Sequence, residues 1–267
     1  MLSKPDYIFN TIVSDMNSSH VYLDEVVGEY TNILEYGAGS GEVSYRFATE
    51  FPKSNVLGVD VHNSFEGVYE RASVALGSHI APRNLSFRNI GPSSEKKYLI
   101  SNVDPLQVDS DAIGLNEYAF CYSWCVFEHI DIRTLDNAIK SIFNSLKPDG
   151  VFYVKINPLY YSVRGSHLHS IVEEPWAHLI YDIQTLRQKA FKKARVTGVK
   201  ATEAMWHQFE TLNRITGSDL VDALKKGGFN ILHEDRKYEG RATKYLLNTY
   251  NEEVLRNKEI TLICSKK

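Results

Sequence analysis

The sequence predicts an α/β protein: a doubly wound, mostly parallel seven-stranded sheet, carried by one domain over residues 1–267. Three observations predict it. Residues 33–60, ILEYGAGSGEVSYRFATEFPKSNVLGVD, set a short apolar strand, a glycine turn, a helix and a second apolar strand in succession, the order of a βαβ unit. Further short apolar runs recur downstream, and seven strands can be counted in all. Between them lie segments of helical periodicity, the clearest being Leu135, Ala138, Ile139, Ile142, Phe143 and Leu146.

Each element has a local reason. Residues 1–30 are expected to be a helical cap in which Val21, Leu23, Val26 and Val27 pack on the sheet and Ser18 or Ser19 caps a helix. The first strand, Ile33–Glu35, runs into Gly37-Ala38-Gly39-Ser40-Gly41, where the missing Cβ atoms permit positive φ and a close approach of backbone to ligand. A helix over Glu42–Phe51 stops at Pro52, and the second strand, Val56–Val59, ends at Asp60. A helix near Phe65–Leu76, a loop around Gly91-Pro92-Ser93-Ser94 and a third strand over Tyr98–Ser101 follow.

Tyr118–Ile130 begins as the continuous apolar run of a central parallel strand and turns into a helix start. The periodic helix from Leu135 closes at Lys147-Pro148-Asp149-Gly150, and Val151–Ile156 is the fifth strand. Residues 157–216 read as an insertion. Ser218 is placed to cap a helix through Leu220, Val221 and Leu224 that ends at Gly227-Gly228, and Phe229–His233 and Glu259–Ser265 are the last two strands.

The glycine spacing discriminates between cofactors. A dinucleotide fingerprint is G-x-G-x-x-G, whereas here the glycines run G-x-G-x-G, with Glu35 before them and Glu42 opening the helix. A pyrophosphate would need the helix N–H groups with no acid beside them. A cationic ligand, such as a sulfonium with an α-amino group, tolerates both acids. Asp60 stands 19 positions beyond Gly41 at the tip of the second strand, where a carboxylate accepts hydrogen bonds from a ribose diol.

These residues, Glu35-x-Gly37-x-Gly39-x-Gly41 with Asp60, resemble the signature of class I S-adenosylmethionine-dependent methyltransferases. The resemblance covers residues 30–156 most closely and 216–267 more loosely. It extends to Ser123, Val126-Phe127 and Glu128-His129 after the fourth strand, although Ala119 stands where the family usually has Asp, and to "SLKPDGVFYVKINP". It implies S-adenosyl-L-methionine as cofactor and an antiparallel hairpin at one sheet edge. It also implies a cofactor site from Glu35, Gly37, Ala38, Gly39, Gly41, Asp60, Val61, Asn102, Val103, Ser123 and Trp124, with Asp104 as the fallback for Asn102. Pro175-Trp176-Ala177-His178 and Gly165-Ser166-His167-Leu168-His169 resemble, more loosely, segments of methyltransferases from bacterial polysaccharide and small-molecule pathways.

Composition excludes several other classes. A net charge of −3 gives no basic footprint for nucleic acid. No run approaches a membrane span, and the N-terminal stretch has acids where a signal peptide would be apolar. Cys121, Cys125 and Cys264 make no disulfide framework and read as reduced thiols of a cytoplasmic protein. The basic run Arg187, Lys189, Lys192, Lys193 and Arg195 reads as a solvated helix face that, if functional, would meet an anionic acceptor.

The acceptor site must come from the 157–216 insertion, rich in Tyr, Trp and His. O-methylation requires a hydroxyl proton to be removed, and His129, His167 and His169 are the candidate bases, with turn-shaping and surface-loop roles as their bland alternatives. His167, His169, Glu173 and His178 fit no standard ligand spacing, so no metal is assigned. The expected function is methyl transfer to a small polar acceptor, most simply to oxygen of a sugar-like or phosphorylated metabolite. N-methylation of a small molecule and a non-catalytic S-adenosylmethionine-binding regulator are the alternatives. Acceptor identity and oligomeric state are not legible.

Overall fold

A computed structural model describes residues 3–61, 65, 67–77, 82–90 and 113–266. Its strands are β1 (Asn32–Tyr36), β2 (Asn55–Asp60), β3 (Leu85–Asn89), β4 (Tyr118–Trp124), β5 (Leu146–Ile156), β6 (Phe229–Tyr238) and β7 (Asn257–Lys266). They form one sheet in the order β3-β2-β1-β4-β5-β7-β6. The first five are parallel, and β7 pairs antiparallel with both β5 and β6. The order reverses between β1 and β4, so the carboxyl ends of these two strands flank the switch point at which ligands bind in open α/β sheets.

Side-chain alternation loads both faces of the sheet. Ile33, Val56, Phe120, Tyr122, Tyr153 and Ile263 point to one side, where α1 (Lys4–Ser18), α2 (Leu23–Val27), α3 (Glu42–Glu50) and α4 (Val68–Leu76) cover them. Leu34, Leu57, Val59, Cys121, Phe152 and Leu262 point to the other, under α5 (Leu135–Ser145) and α10 (Gly217–Lys226). Strands buried on both faces read as continuous apolar runs for this reason. α1 delivers Ile8, Phe9, Ile12 and Met16 to the first core, and its Asp6 pairs with Arg46 of α3 at 2.9 Å.

Four local expectations are corrected. The third strand is Leu85–Asn89, and Tyr98–Ser101 lies outside the described residues. The N-cap of α1 is Ser3, which accepts from the Asp6 N–H, while Ser19 ends that helix and α2 has no side-chain cap. Thr216, not Ser218, caps α10, in a reciprocal box with Asp219. The last hairpin is longer than its apolar centre because its outer residues alternate with solvent-facing polar ones.

Residues 157–176 run as turns and irregular chain, and helices follow from Ala177. After the cis Asn157–Pro158 bond come α6 (Ala177–Ile180), α7 (Ile183–Lys192), α8 (Ala194–Thr197) and α9 (Val199–Glu210). They share a core of Leu168, Ile171, Leu186, Ala190, Trp206 and Phe209. The β6–β7 connection adds α11 (Lys244–Leu247) and α12 (Glu252–Arg256), which pack on Trp176 through Leu246 and Leu255. The Trp176 indole donates to the carbonyls of Tyr161 and Leu255, tying the two segments together. Among the described residues no helix is long and apolar enough to cross a membrane.

Candidate active site

The glycine turn leaves β1 and is fastened to β2 by the N–H groups of Gly37 and Ala38, both donating to the Val59 carbonyl at 2.9 Å. Gly37 sits at φ +84°, and a Cβ there would meet the Val126 methyl carbons at 2.4 and 2.6 Å. The position therefore needs glycine twice over, for its dihedral and for the chain passing beyond β4. The Gly39 N–H donates to Asp60 Oδ2 at 2.9 Å, so the acid at the tip of β2 closes over the turn. A Cβ on Gly39 would meet nothing within 4 Å, and the turn backbone there faces open space.

Glu35 lies beneath the turn. It is buried and accepts from the Ser44 hydroxyl of α3, with the Tyr122 hydroxyl beside it but not forming a well-made hydrogen bond. Burial pushes its carboxyl up to about 8, leaving it neutral at pH 7. Its place is that of a support under the turn, linking β1 to α3. Glu42 opens α3 with the Arg71 guanidinium 4.0 Å away. Val61 follows Asp60, half-buried against the core. Asn102, Val103 and Asp104 lie outside the described residues.

The end of β4 forms the opposite wall. The Ser123 hydroxyl is buried and donates to the Tyr36 carbonyl at 2.9 Å, tying β4 to β1. Trp124 is half-buried, with the Lys155 ammonium 5.1 Å from its ring and Tyr7 of α1 edge-on to it. Lys155 is 3% exposed and binds Asp15 of α1 at 3.2 Å and Glu259 of β7 at 2.9 Å, and the Tyr153 hydroxyl donates to the same Asp15. This buried cluster fixes the N-terminal helix against β4 and β5. Sequence reasoning missed it; its one readable signal was a lysine inside the apolar run VFYVKI.

Beyond Trp124 the chain turns sharply. Cys125 takes φ +53°, and Phe127–His129 make one 3₁₀ turn. Asn213, at the far end of the insertion, clamps that turn. Its side-chain amide donates to the Phe127 and Ile130 carbonyls at 2.6 and 2.8 Å, and its N–H donates to the Glu128 carbonyl at 3.0 Å. Glu128 is thereby held 2% exposed, and neither of its carboxyl oxygens has a hydrogen-bond partner among the described residues. Burial pushes this carboxyl up to about 8.

Of the three histidines expected as bases, two meet. The rings of His129 and His167 lie edge to face with centroids 5.2 Å apart. His167 reaches this place from a left-handed backbone, φ +59°, with Nε2 3.4 Å from the Pro158 carbonyl. Burial pushes His129 down to about 4, helped by His167, and also lowers His167. Both are neutral at pH 7. One ligand-capable atom from each of Glu128, His129 and His167 lies within 4.8 Å of the other two. His169 is exposed and lies outside this group.

The other insertion candidates are otherwise engaged. The His178 Nε2–H donates to the Tyr160 carbonyl at 2.6 Å, and Glu173 and Glu174 pair with Lys193 and Lys189. That pairing places the basic run on the solvent side of the insertion, as expected. A cleft of about 190 Å³ between α10 and β6 contains none of the expected site residues, and its cation Arg236 is already paired with Glu234 and Glu253.

Comparison with known proteins adds the following. A family model described as a methyltransferase domain matches residues 22–234. The fold resembles that of a SAM-dependent methyltransferase from Methanosarcina mazei, at 16% identity and a TM-score of 0.50, covering 91% of this chain and 96% of that one. It also resembles PKMT2 from Rickettsia typhi, solved in complex with AdoHcy, at 13% identity and a TM-score of 0.54, covering 93% of this chain and 54% of that one. The [4+2]-cyclase SpnF shares it at 14% identity and a TM-score of 0.50, covering 94% of this chain and 80% of that one. No curated protein sequence matches this chain.

Proposed function

The chain belongs to the methyltransferase-domain family, and on that premise we propose that it transfers a methyl group from S-adenosyl-L-methionine to a hydroxyl of a small polar acceptor. The observation that carries the donor half is the Asp60 carboxylate bonded to the Gly39 N–H above a turn whose following helix opens with Glu42. Glu42 at the helix start repels a pyrophosphate and suits a donor bearing a sulfonium and an amino group. The residues fit that donor: the open backbone at Gly39, the Asp60 carboxylate for a ribose diol, and Val61 and Trp124 as apolar walls. Glu35, neutral and bonded to Ser44, serves by holding the turn and α3 in register.

When bound, the donor supplies an electrophilic methyl group. The chain must then hold the acceptor oxygen in line with it and take up the hydroxyl proton. Proton removal is assigned to the His129–His167 pair, which stands one short turn beyond Trp124 and is neutral at pH 7. The acceptor is bounded by the 157–216 insertion, in which Tyr160 and His178 meet edge to face and His167 stands near His178. A sugar-like or phosphorylated metabolite suits a region rich in such groups with a basic face outside it.

Incubation with S-adenosylmethionine carrying a labelled methyl group and a panel of sugar phosphates, nucleotide sugars and small amines tests this. Label recovered as an O-methyl ether supports the reading. Label recovered only on nitrogen overturns the hydroxyl assignment.

A further inference from the structure

We propose that Glu128, His129 and His167 form a binding site for one divalent first-row transition-metal ion. The first ground is geometric. Three atoms no more than 4.8 Å apart lie within about 4.8/√3, or about 2.8 Å, of a common point. Zinc-type bonds to imidazole and carboxylate are about 2.0–2.2 Å, so each donor needs to close by well under 1 Å, which small side-chain rotations supply. The donors come from two places in the fold, the 3₁₀ turn after β4 and the loop at His167, and backbone constraints converge on both. Asn213 clamps the first, and a left-handed residue sets the second.

The second ground is the state of Glu128. It is 2% exposed and, among the described residues, its two oxygens have no hydrogen-bond partner, while the other members of the group are imidazoles. A buried carboxyl left unpartnered is destabilising, and an ion is one of the things that accounts for such a group. Each of the two imidazoles beside it has one ring nitrogen whose lone pair a cation can take together with one from the carboxylate.

The donor set selects the ion. Two imidazole nitrogens with one carboxylate favour zinc, iron, manganese, cobalt or nickel over magnesium and calcium, which take oxygen ligands. Three protein ligands leave coordination positions open, as in reactive rather than purely structural centres. An ion held there would occupy one nitrogen of each histidine and lower the pKa of a hydroxyl bound to it, the proton passing to water; with no ion bound, the pair is the base assigned above. That use rests on the methyl-transfer reading; binding of the ion does not.

The test is titration of the full chain, freed of metal by a chelator and exchanged into buffer, with Co²⁺ as a spectroscopic probe and Zn²⁺ as competitor. One equivalent of Co²⁺ is expected to develop visible d–d bands that Zn²⁺ abolishes. Glu128→Gln, His129→Gln and His167→Gln should each weaken binding by at least about 100-fold, since changes outside the first coordination shell alone cost about 10–100-fold. His233→Gln, on β6, should bind as the parent does. Urea denaturation of each variant confirms that it is folded. Where one variant does not fold, the other two decide. Absence of stoichiometric bands, or bands undiminished in every folded ligand variant, overturns the proposal. S-adenosylhomocysteine titrated into the chelated protein reads the donor site separately. Loss of that binding with Co²⁺ bands intact refutes the function and spares the metal site, and the converse result does the opposite.

Discussion

Gly37→Ala is the sharpest perturbation of the glycine turn, because its cost has two separable parts. The residue sits at φ +84°, and an L side chain in that region costs about 1–2 kcal/mol. The new methyl would also lie 2.4 and 2.6 Å from the Val126 methyl carbons, about 1 Å or more inside the ~3.5–4.0 Å of favourable carbon contact. Forcing such an overlap costs about 1–3 kcal/mol. Gly37→Ala should therefore destabilise the protein by about 2–5 kcal/mol. Val126→Ala should cost about 1 kcal/mol through lost burial of two methyl groups of a half-buried side chain. The double variant removes both overlapping methyls and keeps only the Val126 Cβ, at 3.0 Å. Urea denaturation of the four proteins closes a double-mutant cycle. The double variant should be about 1–3 kcal/mol more stable than the sum of the single changes. Additivity within about 0.5 kcal/mol would refute the close approach of the β4 exit to the turn.

Further outcomes follow from the same geometry. Glu35 keeps its proton in the folded protein up to about pH 8 but loses it in the unfolded chain near its ordinary value of 4.5, so stability from this group is full below that value and is lost as pH rises to about 8. Glu35→Gln, which retains an acceptor for Ser44, should flatten that decline, raising stability at pH 8 relative to pH 5 by on the order of 3 kcal/mol in denaturant titrations at the two pH values. An unchanged pH slope would show that the carboxyl is not held neutral. Lys155→Met should cost about 3 kcal/mol by chemical denaturation, because Asp15 and Glu259 lose a buried partner, although Tyr153 and Lys237 still reach them. Thr216→Ala should cost about 1 kcal/mol and Ser218→Ala under about 0.5, since the box with Asp219 belongs to Thr216; the reverse ranking would move the cap.

The sheet was legible where burial on both faces made sequence and environment agree. β1, β2, β4 and β5 are apolar runs with glycine or proline punctuation, and α5 repeats its buried face for three turns. β3 was misplaced because an edge strand buries little. LSFRN leaves four of its five residues at least partly exposed and carries two strongly polar ones, so its period-2 signal is faint beside the apolar YLIS farther on. The α10 cap lies two positions from the expected one because Thr216 and Ser218 both stand at that helix start and backbone angles decide between them, whereas Ser18 and Ser19 fall at the end of α1 rather than at a start.

The candidate site divides the same way. The glycine turn and Asp60 are local in sequence, so their meeting could be read from spacing. The pairing of His129 with His167, the Asn213 clamp and the Lys155–Asp15 contact join residues 38 to 140 positions apart, and only the folded chain brings them together. Sequence reasoning nominated His129 and His167 from their chemistry, yet it grouped His167 with His169, Glu173 and His178. The fold separates that set by turning Glu173 to Lys193 and His178 to the Tyr160 carbonyl.

The most direct measurement of the central claim is calorimetric titration with S-adenosylhomocysteine, run beside NAD, on the parent protein and Asp60→Ala. The geometry of the turn requires saturable one-to-one binding of S-adenosylhomocysteine, weakened at least tenfold by Asp60→Ala, and no measurable heat with NAD. Absence of S-adenosylhomocysteine binding, or binding untouched by the loss of the Asp60 carboxylate, would contradict it.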